Sequence, residues 1–169
     1  MERMIHIFLL CALTTAFTAL PTHPIAPGMA EQDNVPALNQ RVVDFVKGKM
    51  GKKVGAGECW DLAAEALNTA GARWDGLYGF GEVVDWKKAE VFAGDIVQFE
   101  NVEVERREGD MVRRERYGHH TAVILEVREK GVYTIGQQNM QGLGRKVGLG
   151  ELAMSDVRGG KIVFYRPVE

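Results

Sequence analysis

The chain has 169 residues, 46% of them hydrophobic, and a formal net charge of −2. That length and apolar content suit one globular domain with a core of its own, and no repeat or low-complexity tract divides it. Acidic and basic residues are interspersed, so the sequence lacks the electrostatic footprint of a nucleic-acid or anionic-membrane binder.

The first residues read as a targeting segment. Arg3 supplies a positive start, Ile5 to Ala19 is almost continuously apolar, and Pro21, Pro24 and Pro27 break the run. This is the layout of a secretory signal peptide. It falls short of the roughly 20 apolar residues that a membrane span needs. Residues 1–30 are therefore expected to be a signal peptide and linker, and the mature protein to be secreted or periplasmic. Of the two cysteines, Cys11 would leave with that segment, and Cys59 would be alone without a disulfide partner.

Residues 35–169 are expected to form the domain. Val35 to Met50 carries an apolar stripe of Leu38, Val42, Val43, Phe45 and Val46, which predicts a helix closed by Gly48 and Gly51. Gly55-Ala56-Gly57-Glu58-Cys59-Trp60-Asp61 then runs into a second helix. Leu62, Ala63, Ala66, Leu67 and Ala70 recur at helical spacing, and Gly71 follows as a stop. Cys59 thus sits in the first turn of a helix, where unpaired backbone N–H groups and the positive end of the dipole favour the thiolate, the form that attacks carbonyls. Cys59 is the candidate nucleophile; the alternative is a small buried hydrophobe. Between Arg73 and Phe92 the pattern is irregular and aromatic, with Trp74, Tyr78, Phe80 and Trp86, which suits either the wall of a groove or a loop pinned to the core.

From Ala93 onward the period is that of strands. Ile96 to Glu105 and Met111 to Tyr117 flank a Gly109-Asp110 turn, Thr121 to Val127 and Val132 to Asn139 flank Glu129-Lys130-Gly131, and Lys161 to Arg166 ends at Pro167. Helices first and consecutive strands afterwards predict an α+β domain, with helices packed on an antiparallel sheet.

Outside the N-terminal region the histidines are His119 and His120, at the start of a strand. A zinc site would want three or four protein ligands, and no cofactor or metal is implied. Histidine beside cysteine serves instead as the base that takes the thiol proton and later protonates the leaving group. A third polar group that fixes the ring improves such a base. Gln137-Gln138-Asn139 ends the next strand, where alternation puts Gln137 and Asn139 on one face; pairing of consecutive strands would set either beside the histidine. A polar strand end that makes turn hydrogen bonds is the alternative.

Cysteine at a helix start, Gly94-Asp95-Ile96-Val97-Gln98-Phe99, His119-His120-Thr121-Ala122-Val123-Ile124, Gln138-Asn139 and Tyr165-Arg166-Pro167 together resemble the CHAP and NlpC-type branch of the papain-like cysteine hydrolases. They resemble still more the cysteine-proteinase-fold domain of certain fungal actin-patch proteins. The resemblance implies a papain-like fold with Cys59 as nucleophile and His120, directly before the Thr-Ala-Val-Ile strand, as base. It leaves Gln137 and Asn139 sharing the third role, and His119 structural or facing substrate. The implied activity is an exported amidase or peptidase working through a thioester, on peptide or peptidoglycan-like substrates. Deamidation and transglutamination use the same residues, and a binding domain that keeps the fold without turnover is the rival from another class.

Overall fold

The computed structural model describes residues 34–142 and 144–169. The expected signal peptide lies outside the described residues. Helix α1 spans Ala37–Gly48 and buries Leu38, Val42, Val43 and Val46. Helix α2 spans Cys59–Ala70 and ends on Gly71, whose φ of 78° gives the left-handed turn that stops the helix. The strands are β1 (Glu82–Val84), β2 (Ile96–Glu108), β3 (Met111–Glu129), β4 (Val132–Gln137), β5 (Gly148–Ala153) and β6 (Val157–Arg166). They make one antiparallel sheet in the order β1-β6-β2-β3-β4-β5. Two helices on a six-stranded antiparallel sheet are the α+β arrangement that the sequence predicts.

Both faces of the sheet are covered. On one face Ile96, Val123 and Leu125 pack with the apolar residues of α1 and α2. On the other, Val97, Phe99, Ala122, Ile124, Tyr133, Ile135 and Phe164 form a second cluster. Burial of a side chain such as Leu62 or Ile124 contributes about 1.5–3 kcal/mol, so the two layers together carry the fold. Just before β2, Asp95, fully buried, ties α1 to β6: its carboxylate accepts from Asn39 of α1 (2.8 Å) and from Arg166 of β6 (3.0 and 3.2 Å). Burial pushes the Asp95 carboxyl up from its ordinary range, and Arg166 opposes that shift.

Three features depart from the sequence reading. Met111 to Tyr117 and Thr121 to Val127 belong to one strand, β3, and not to two. That strand and β2 kink together: Asn101 has a φ of 50°, pairing with β6 shifts register between Glu100 and Glu103, and both Phe99 and Val102 join the second cluster. A regular strand would point residues three apart to opposite faces. The short edge strand β1 and the glycine-bearing edge strand β5 lie in stretches without a strand pattern. Among the described residues no helix is long and apolar enough to cross a membrane.

Candidate active site

The chain before α2 is built to deliver a cysteine. Glu58 is the N-cap, and its backbone N–H donates to the Asp61 carboxylate at 3.0 Å. Gly55, with a φ of 55°, lets the chain pass close over Asp61: a Cβ added there would lie 2.8 Å from the Asp61 Cβ. Gln138, fully buried, staples the loop from the sheet. Its Oε1 accepts from the Val54 N–H (3.2 Å), and its Nε2 donates to the carbonyls of Val54 (3.0 Å) and Glu58 (2.6 Å). The residue before the cysteine is thereby tied to the strand end beside the histidine strand.

Cys59 is half-buried, and its Sγ lies 3.9 Å from the backbone oxygen of His119. On β3 the side chains of His119, Thr121, Val123 and Leu125 share the helix-facing side, since Val123 and Leu125 pack against the helices and alternation fixes the others. On β2, Gln98 shares that side with Ile96. The pairing Gln98↔Thr121 brings these residues together. Gln98 Nε2 sits 3.1 Å from His119 Nε2, and the Thr121 hydroxyl donates to Gln98 Oε1 at 2.6 Å. Gln98 and Thr121 are both buried, whereas His119 is exposed, with its ring edge-on to Tyr78 at 4.5 Å. Cys59, His119, Gln98 and Thr121 make one polar site at the start of α2.

His120 lies elsewhere. It packs on the opposite face against Phe99 and Tyr117 and is 4% exposed. Gln137 is beside it, as hairpin pairing predicts, with Oε1 accepting from His120 Nε2 at 2.9 Å. Burial lowers the His120 pKa from its ordinary value; the Gln137 bond opposes that. Asn139 touches neither histidine. Its φ of 62° turns it to the Glu58 carboxylate (2.7 Å), which also pairs with Arg145 (3.0 Å). The expected grouping of Cys59 with His120, Gln137 and Asn139 is therefore corrected: the sheet separates His120 and Gln137 from the thiol, and Asn139 acts on the loop before it. A groove of about 1260 Å³ is lined by residues that include Tyr117, Gln137 and Asn139, and neither Cys59 nor His119 belongs to its lining.

Gln98 is the residue that sequence reasoning missed. Its signal was an amide inside the otherwise apolar run Ile96-Val97-Gln98-Phe99.

The AIM3/BBC1 cysteine proteinase-fold domain matches residues 32–169. The chain belongs to this family. That membership gives the two helices and six strands a papain-like cysteine-proteinase fold, with Cys59 at the helix start. A relative is the Altered inheritance of mitochondria protein 3 of Debaryomyces hansenii, 29% identical over 167 residues, which cover 86% of this chain and 18% of that protein. The chain thus spans less than a fifth of its relative's length. Two solved structures are also similar: the crystal structure of Ly7917 (TM-score 0.44, 19% identity, 75% of this chain and 62% of that one) and the crystal structure of Ly7917 with the hydrolyzing product of MDP (TM-score 0.44, 21% identity, 76% and 63%).

Proposed function

We propose that this AIM3/BBC1 domain is a cysteine hydrolase that cleaves amide bonds in peptides, with Cys59 as nucleophile, His119 as base and Gln98 as the group that positions His119. The observation that carries this reading is the approach of the Cys59 Sγ to the His119 backbone oxygen, 3.9 Å, with the buried Gln98 amide on the His119 imidazole. Gln98 meets the ring at Nε2, so proton transfer from the thiol would have to run through Nδ1. His119 takes the thiol proton, Sγ attacks the carbonyl carbon, and the oxyanion develops near the Cys59 N–H, one of the donors that a helix start leaves without an intrahelical partner. The imidazolium then protonates the leaving amine, and water hydrolyses the thioester.

The Gln98 amide decides whether this base works. When its NH2 group donates to Nε2, the neutral ring carries its proton on Nδ1 and has no lone pair for the thiol. Turned by a half-rotation, Oε1 accepts from Nε2–H and frees Nδ1. The Thr121 hydroxyl satisfies either orientation, because it both donates and accepts. The first orientation favours a second reading, a binding domain that keeps the fold without turnover.

Intact mass after mixing with an activated acyl ester separates the two. A transient acyl adduct on Cys59, absent from Cys59→Ser, supports the hydrolase, and no adduct supports the binding domain. Export rests on residues 1–30; it is tested by where the tagged full chain accumulates with and without them.

A further inference from the structure

We propose that the loop between α2 and β1 builds a subsite for a leucine- or phenylalanine-sized side chain, so that the site takes extended peptides with an apolar residue next to the cleaved bond. This deepens, and rests on, the hydrolase reading.

Leu77 and Tyr78, adjacent on this loop, are 66% and 45% exposed. Bracing comes from both sides. The Asp75 carboxylate accepts from the N–H groups of Leu77 (2.7 Å) and Gly79 (3.0 Å). Gly79 permits this, since a Cβ there would lie 2.5 Å from the Asp75 Oδ2. Trp74 donates to Asn68 of α2 (2.9 Å) and stacks on Phe80. Trp60, next to the nucleophile, packs on Trp74 at 5.5 Å and donates to the Leu77 carbonyl at 2.5 Å. Tyr78 meets the His119 ring.

The loop is thus fixed to both Cys59's neighbour and the histidine, and it presents apolar surface to water beside them. Its one carboxylate, Asp75, bonds its own backbone. Its one cation, Arg73, donates to the Glu169 backbone oxygen. What fits such a wall beside Trp60 and His119 is an apolar side chain of the bound peptide. A polar side chain would lose water there without a hydrogen-bonding partner.

The test labels the full chain with acetyl-dipeptidyl chloromethyl ketones, in which Sγ of Cys59 displaces chloride, carrying Gly, Leu, Phe or Glu at either position. Labelling by the Leu or Phe probe is expected to be roughly tenfold or more faster than by the Gly and Glu probes. Leu77→Ser brings the leucine-to-glycine ratio towards one, and Leu77→Met retains it. Equal rates across the probes in the unaltered protein, or an unchanged ratio in a folded Leu77→Ser, overturn the subsite while the hydrolase reading stands. No labelling of Cys59 by any probe overturns both.

Discussion

Gln98 Nε2 and His119 Nε2 are 3.1 Å apart on the face of the sheet against which the helices pack, while the next residue along, His120, faces the opposite way into an aromatic cluster. One register step on β3 separates a histidine exposed beside the Gln98 amide from a histidine buried among aromatic rings.

Turnover follows that step. His119→Ala is expected to lower kcat by roughly a hundred- to ten-thousand-fold, the usual contribution of a positioned base. His120→Gln in folded protein keeps most of it. A peptide-amide assay on both variants decides: a silent His120→Gln beside an active His119→Ala would place the base on the other face.

Gln98→Leu removes the amide from the imidazole and leaves the Thr121 hydroxyl without its partner. We expect kcat to fall by up to about a hundredfold through lost positioning, with KM nearly unchanged and Cys59 still open to alkylation. Gln98→Glu, whose carboxylate accepts from Nε2–H, restores part of the rate. If the Leu variant turns over at the unaltered rate, Gln98 has no role in the site.

Gln138→Leu breaks the three bonds that hold Val54 and Glu58. Gly57 and Asp61 still donate to the Val54 and Glu58 carbonyls, so the buried Val54 N–H is the group left without its partner, at a cost of about 1–3 kcal/mol. Urea unfolding should show a lower midpoint, together with reduced turnover, because the nucleophile's loop is no longer anchored. An unchanged midpoint would mean that water replaces the amide at no cost.

His120 gives the fold a pH dependence of definite sign. Burial lowers its folded-state pKa below the ordinary 6.5, so the unfolded chain binds the proton more readily. Its contribution is complete above about 6.5 and is lost as pH falls towards the folded value, at up to about 1.4 kcal/mol per pH unit. Thermal unfolding from pH 7 to pH 5 should fall less steeply in His120→Gln than in the unaltered protein. Parallel curves would contradict the assignment.

The helix start was plain in the sequence because Gly55, Cys59, the alanine-rich face and Gly71 each act locally. The side of the sheet that each histidine takes was not. Thr121, Ala122, Val123, Ile124 and Leu125 are all buried, since both faces of β3 are covered, so alternation of apolar and polar residues marks neither side. The kink at Asn101 and Gly118 further breaks any count of faces carried in from the hairpin tip. Hairpin pairing did predict Gln137 beside His120, because adjacency of consecutive strands survives an error of face. Strand β5 was hidden by Gly148 and Gly150, and Gln98 by its apolar neighbours.

The most direct test of the central claim, that the thiol of Cys59 faces His119, is the imidazole nitrogen spectrum of ¹⁵N-histidine-labelled protein before and after carboxamidomethylation of Cys59. The His119 ring signals should move, and those of His120, screened by the sheet and held as the Nε2–H tautomer by Gln137, should stay. Movement of the His120 signals with His119 unmoved would contradict it.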